Sequence, residues 1–230
     1  MLRADTHRPW IVLCHGMGTN RSNLLHVAVG LLRAGFNLLA FDFRGHGTSE
    51  GRSTSFGWRE QRDLEGALAF LGRQTEIPAR PYGVYGLSMG GAVALMTAAR
   101  DERLRAIAID SPYADLGESL KHHLRLLYHA PSIPFFWFVA SVYRLRFGAW
   151  PHHVSPQLAA RSLRKHQALL VIQGDQDPRV PLEQTRRLMR DATPSNELWM
   201  VQGAAHLGAY EHDPHAYLAK LEQFFTAHLW

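Results

Sequence analysis

Two hydrophobic rhythms alternate along the chain: short, nearly continuous apolar runs, and longer stretches whose apolar residues recur every three or four positions. Trp10 to Cys14 is the first run, with the character of a parallel strand covered on both faces. Asn20 or Ser22 can cap the helix that follows, which turns Leu24, Leu25, Ala28, Leu31 and Leu32 to one side and closes at Gly35. Phe36 to Phe43 predicts a second strand, and Arg59 to Gln74 a helix with Leu64, Ala67, Leu68 and Leu71 inward. A third strand over Pro81 to Tyr85 leads into a helix over Met89 to Arg100. Further strands fall at Ala106–Asp110, Ala168–Gln173 and Glu197–Gln202, with helices over Leu182–Arg190 and Pro214–His228. Strands alternating with helices predict an α/β fold, a doubly wound and mostly parallel sheet, in a single domain spanning residues 1–230. Sites in such sheets lie beyond the carboxyl ends of the strands.

From Tyr113 to about Pro156 the rhythm breaks. Leucine and aromatic residues sit at helical spacing, interrupted by Pro131, Pro134 and Pro151, which predicts a helical cap inserted over the carboxyl edge of the sheet. The longest apolar run, Ile133 to Ala140, falls far short of the ~20 residues that span a bilayer. It reads as cap surface lining an acyl pocket; the alternative is a surface that touches lipid or a partner.

Several candidate chemical groups stand at strand ends. Gly86-Leu87-Ser88-Met89-Gly90 matches G-x-S-x-G, in which a serine sits on a tight turn between strand and helix and the glycines relieve crowding. Here the strand precedes and the helix follows, as the motif requires. After the fifth strand comes Gly174-Asp175-Gln176-Asp177-Pro178-Arg179-Val180-Pro181, and after the sixth Gly203-Ala204-Ala205-His206. A serine hydroxyl needs an adjacent base, itself oriented by an acid. Ser88, Asp177 and His206 supply all three in the order Ser, Asp, His. Asp177 could instead be a turn aspartate paired with Arg179. Asp110 is a reserve acid, although Asp110-Ser111-Pro112 also reads as a hydrogen-bonded turn.

Composition narrows the picture. The 230 residues carry a net charge of +5 with scattered basic residues, which suits solubility and argues against a nucleic-acid partner. The single cysteine, Cys14, excludes an internal disulfide and reads as a buried inert thiol. Met1 to Pro9 is short and polar rather than a secretory signal, so a cytoplasmic protein is expected. None of the 14 histidines follows zinc-site spacing, His122-His123 and His152-His153 included, so no metal is expected. His15 and His46 read as residues that shape their loops, and Arg44 as a brace.

With these motifs in place, the chain resembles the α/β-hydrolase superfamily, close to the bacterial serine hydrolases related to monoacylglycerol-lipase-like and prolyl-oligopeptidase-like enzymes. His15-Gly16-Met17-Gly18 resembles that group's oxyanion loop, and Asp42-Phe43-Arg44-Gly45-His46-Gly47-Thr48-Ser49 its loop after the next strand. Gly174 to Pro181 resembles its G-x-x-D-x-x-V-P acid loop, which places the acid at Asp177 rather than Asp175. The resemblance implies acyl transfer without a cofactor: His206 takes the proton of Ser88, an acyl-enzyme forms, and water releases it. It also implies that the backbone N–H groups of Met17 and Met89 hold the oxyanion. The substrate would be a small-molecule carboxylic ester with a small or medium acyl chain, making the protein a carboxylesterase. A peptidase, amidase or thioesterase using the same residues is the alternative, and a non-catalytic binding protein on the same fold a further one.

One feature departs from the family. Two further strands usually precede the one holding His15, and nine residues cannot supply both. A shortened domain or a piece of a longer protein is expected, with an exposed sheet edge through which a homodimer could form.

Overall fold

In the computed structural model of the chain, residues 1–2, 7–74, 81–129, 131–192 and 195–230 are described. Six strands form one parallel sheet: β1 (Trp10–Cys14), β2 (Asn37–Ala40), β3 (Tyr82–Leu87), β4 (Leu104–Asp110), β5 (Ala168–Gly174) and β6 (Asn196–Val201). Their order across the sheet is β2-β1-β3-β4-β5-β6, with the strand of Ser88 near the middle.

Alternation along β1 explains why both faces are covered. Trp10, Val12 and Cys14 point into one core and Ile11 and Leu13 into another, as the two-residue period of a strand demands. The first core is shared with α2 (Glu60–Gly72) and α3 (Met89–Ala98), the second with α1 (Leu25–Arg33) and a long C-terminal helix over Pro214–Leu229. Helices on both sides make the sheet doubly wound, and Cys14 is fully buried within it. Burial pushes its thiol pKa far up, so the group is inert.

The helix after β1 starts differently from its pattern. Asn20 caps a 3-10 turn, Arg21–Leu24, through a bond from the Ser22 N–H at 2.9 Å, and the α-helix begins only at Leu25. That tighter turn rotates the inward face, so Val27 is buried while Leu25 is 56 % exposed. β2 also ends earlier than its apolar run. Asp42 turns the chain out of the sheet by accepting from the backbone N–H of Arg21 at 2.8 Å and of Thr48 at 3.0 Å. β2 is an edge strand, and Leu2 pairs with it in an antiparallel bridge, exchanging hydrogen bonds with Leu38 at 2.9 and 2.8 Å. No strand precedes β1 among the described residues.

Between β4 and β5 lie α4 (Leu116–Tyr128), α5 (Ser132–Phe147) and α6 (Pro156–Ala160); α7 (Leu182–Asp191), α8 (Ala209–His212) and α9 (Pro214–Leu229) complete the chain. Asp115 caps α4 through the Glu118 N–H, and the left-handed Gly148 (φ 77°) ends α5. The inner face of α5 places Tyr143 and Phe147 against Tyr113, Leu116 and Met96. Among the described residues no helix is long and apolar enough to cross a membrane.

Candidate active site

Three loops at the carboxyl ends of β3, β5 and β6 converge on one point. Ser88 has φ 48° and ψ −111°, a backbone conformation few side-chain-bearing residues adopt. The turn is held by the Ser88 N–H, which donates to the Asp110 carbonyl at 2.8 Å, and by glycines on either side. A Cβ on Gly86 would lie 2.5 Å from the Gly90 carbonyl carbon and oxygen, and one on Gly90 would overlap the Cys14 carbonyl. The crowding read from the G-x-S-x-G spacing is therefore physical: β3, α3 and β1 meet there backbone to backbone.

The Ser88 hydroxyl lies 3.1 Å from His206 Nε2, and His206 Nδ1 lies 2.7 Å from Asp177 Oδ2. The tautomer with the proton on Nδ1 satisfies both contacts: it donates to the carboxylate and accepts from the hydroxyl. Asp177 is itself held from three further directions. Its Oδ1 accepts from the backbone N–H groups of Arg179 at 2.8 Å and Val180 at 3.0 Å, and its Oδ2 from Gln173 Nε2 at 3.1 Å. Burial raises the carboxyl pKa, but the hydrogen bonds and charge of His206, with those two backbone donors, outweigh it and hold Asp177 below the usual carboxylate range. The turn pairing with Arg179 thus exists through its backbone, alongside the bond to His206.

Gln173, which the sequence pattern did not single out, is the site's hidden support. It is fully buried at the end of β5, accepts from Thr185 Oγ1 at 3.0 Å and donates to Asp177. A glutamine directly after the apolar run Leu169–Ile172 was the available signal, because a buried amide needs partners, but spacing does not say which partners.

Asp110, the reserve acid, does not contact His206. Its Oδ2 accepts from the Tyr217 hydroxyl at 2.7 Å, and its Oδ1 from Ser111 Oγ at 2.8 Å. Tyr85 in turn lies 2.6 Å from the Tyr217 hydroxyl. Complete burial pushes the Asp110 carboxyl up to about 6, against the pull of the Tyr217 and Ser111 bonds.

The loop from His15 to Gly18 lies beside the nucleophile candidate: a Cβ on Gly16 would stand 3.8 Å from Ser88 Cβ. Two histidines shape it. Buried His15 donates from Nδ1 to the Gly16 carbonyl at 2.7 Å and accepts the Phe43 N–H at 3.0 Å, while His46 accepts the N–H of left-handed Gly18 at 3.2 Å. Arg44 braces the neighbouring loop by gripping Asp63 with Nε and a terminal guanidinium nitrogen. Met17 projects its side chain half-exposed, whereas Met89 is buried at the first turn of α3.

A cavity of about 410 Å³ opens at Ser88, lined by Gly16, Met17, Leu87, His206 and Tyr210 among others. The aromatic run of α5 does not line it. Phe136, Trp137 and Ala140 border a separate hollow with Lys121 and Trp150, because α5 turns its buried face to Tyr113 and Leu116 rather than to Ser88. The expected acyl-pocket lining by Phe136 to Ala140 is corrected accordingly; the side chains of Ile133 and Pro134 lie outside the described residues. No cluster of three His, Cys, Asp or Glu side chains suited to a metal occurs among the described residues.

A geometry in which an imidazole bridges a strained serine and a buried carboxylate can take up a hydroxyl proton as the oxygen attacks. Comparison with known proteins agrees with the fold. The uncharacterised protein YqkD of Bacillus subtilis is 30 % identical over 216 residues, covering 93 % of this chain and 70 % of its own length. A structure of the Pyrococcus furiosus esterase Pf2001 superposes with a TM-score of 0.80 at 26 % identity, over 98 % of this chain and 85 % of that one. The monoacylglycerol lipase of Paleococcus ferrophilus shares the fold, with a TM-score of 0.70 at 20 % identity over 96 % of each chain. The model of the alpha/beta hydrolase family matches residues 11–220, and the chain belongs to that family.

Proposed function

We propose that the protein is a serine hydrolase that cleaves carboxylic esters with small or medium acyl groups through an acyl-enzyme. The observation that carries this reading is the continuous chain from Ser88 Oγ to His206 Nε2 and from His206 Nδ1 to Asp177, at 3.1 and 2.7 Å. In it, Ser88 Oγ attacks the ester carbonyl carbon while its proton passes to His206 Nε2. The imidazolium then returns that proton to the departing alkoxide. A water molecule, deprotonated by His206, attacks the acyl carbonyl and releases the acid together with free Ser88. Asp177 keeps the imidazole in the required tautomer and balances its positive charge. The developing oxyanion is held by the backbone N–H groups of Met17 and Met89, the residues beside Gly16 and Ser88.

The cavity size supports a modest substrate, since ligand pockets of drug-sized molecules run from about 300 to 1,000 Å³, and this one encloses about 410 Å³. Residues 113–156 act as a cap in this reading. Its helix α4 is tied to the acid loop, where His122 Nε2 donates to the Pro178 carbonyl at 2.7 Å.

The test is hydrolysis of p-nitrophenyl esters from acetate to palmitate, with Ser88→Ala in parallel and a fluorophosphonate probe on both. Activity peaking at short or medium chains, lost in the variant together with labelling, is the expected outcome. Labelling at Ser88 without ester turnover would move the assignment to an amide or thioester. Neither labelling nor turnover would leave a binding protein on a hydrolase fold.

A further inference from the structure

Helix α5 is apolar on two opposite sides, and only one of them is used. Phe136, Ala140, Tyr143 and Phe147 face inward and are buried, and the Tyr143 hydroxyl anchors that side by donating to the Ser55 carbonyl at 2.8 Å. Phe135, Phe138, Val142 and Leu145 recur at spacings of three, four and three on the opposite side, and all are exposed. Phe138 is 70 % and Leu145 90 % exposed. Leu127 and Tyr128, at the end of α4, add to the exposed apolar surface of this hairpin. Soluble chains rarely leave such a stripe uncovered, and a single exposed leucine would need no explanation where a repeated one does.

The charge around the stripe is one-sided. No aspartate or glutamate occurs between Glu118 and Asp175, and Glu118 itself is ion-paired with Arg187. Lys121, Arg125, Arg144 and Arg146 lie on the two helices. Lys121 stands over the inward-facing Phe136 ring at 4.4 Å, whereas Arg144 lies over Trp150 at 5.1 Å and borders a surface hollow with Leu145 of the stripe. A second copy of the chain fits poorly. An isologous pairing of two α5 stripes would bring arginines toward arginines, with no acidic residue on either helix to answer them. An anionic, apolar-cored surface answers both features at once.

We propose that the outer face of α5, with the end of α4, docks on an anionic lipid bilayer. Phe138 and Leu145 enter the acyl boundary, Trp137 and Tyr128 lie at the headgroup level, and the arginines meet lipid phosphates. The Ser88 cavity is lined by other residues, so docking and hydrolysis are separable.

The test uses the full chain with vesicles of phosphatidylcholine alone or mixed with phosphatidylglycerol, reading the bound fraction by flotation. Binding to the anionic vesicles should be tighter by roughly tenfold or more, and should weaken as salt is raised. The double variant Phe138→Ser, Leu145→Ser should lose roughly tenfold or more of that binding while retaining the wild-type melting temperature and soluble-ester or probe reactivity. Arg144→Gln with Arg146→Gln should bring anionic binding down toward the zwitterionic level. Absence of wild-type binding to anionic vesicles overturns the proposal, as does undiminished binding of the Phe138, Leu145 variant. A dimer in light scattering that the same variant disperses would assign the face to a second copy and overturn it too.

Discussion

Leu207 donates its backbone N–H to the Ser111 hydroxyl across 3.2 Å, which ties the turn behind His206 to the end of β4. Both residues have positive φ, 52° at Ser111 and 59° at Leu207, so each is held in a conformation its side chain disfavours. The neighbouring Asp110 carbonyl receives the Ser88 N–H. Two consecutive residues therefore restrain the backbone on both sides of the Ser88–His206 contact.

Ser111→Ala removes that restraint, together with the hydroxyl's own bond to Asp110 Oδ1, without touching Ser88 or His206. An unpaired buried N–H costs about 1–3 kcal/mol, and part of it should be relieved by movement of the Leu207 turn. Steady-state kinetics on a soluble ester should show kcat reduced roughly tenfold with KM little changed, because the defect lies in alignment rather than binding. An unchanged kcat would mean that the packing around His206 alone sets its position.

Asp110 gives the fold a pH dependence of unusual sign. Its folded pKa of about 6 lies above the ordinary aspartate value, so the native state binds the proton more tightly than the unfolded chain. Its contribution is favourable below about pH 4 and is lost as pH rises through 6, on the order of 3 kcal/mol in all. Asp177 and Glu60, whose pKa values are lowered, act in the opposite direction and lose their contribution as pH falls through their folded values. Asp110→Asn should remove the first effect, leaving a shallower decline between pH 4.5 and 7, to which Asp115, also raised by burial, still contributes. Urea unfolding across that range is the measurement, and an identical decline in the variant would refute the assignment to Asp110.

The strand–helix rhythm was legible because β1, β3 and β5 are buried along their whole length, while α1, α2 and α9 bury one face. Its boundaries slipped where polar side chains intervene: Asp42 draws the chain out of β2, and β3 runs on to Leu87 because that residue still pairs with Asp110. Ser88, Asp177 and His206 could be read because each stands on a short loop after an apolar strand. Gln173, Ser111 and Tyr217 could not, since their partners Asp177, Leu207 and Asp110 reach them only through the tertiary fold. The orientation of α5 was illegible for another reason. With apolar residues on both sides, periodicity predicts the helix but not which side the core takes.

Gly174→Ala probes the meeting of two of the three loops. A Cβ at Gly174 would overlap the Ala204 carbonyl oxygen and stand 2.8 Å from that of Ala205, so the loop carrying His206 would have to retreat. Overpacking of this kind costs about 1–3 kcal/mol. The variant should unfold at lower urea concentration and lose more activity than its stability loss explains, since the displaced backbone leads directly to His206. Equal activity per folded molecule would show that the loop yields elsewhere.

Met17→Ala distinguishes a backbone donor from a side-chain contact. The proposed oxyanion donor is the Met17 N–H, which alanine retains, while the half-exposed thioether side chain lines the cavity. Loss of one such donor costs roughly a hundredfold to a thousandfold in kcat. The substitution should therefore leave kcat within about threefold and act mainly on KM, most strongly for longer acyl chains that would reach the side chain. The loop should survive the change, because His15 and His46 hold it through Gly16 and Gly18 rather than through Met17. A collapse of kcat at unchanged melting temperature would show that the methionine side chain itself sets the donor's direction.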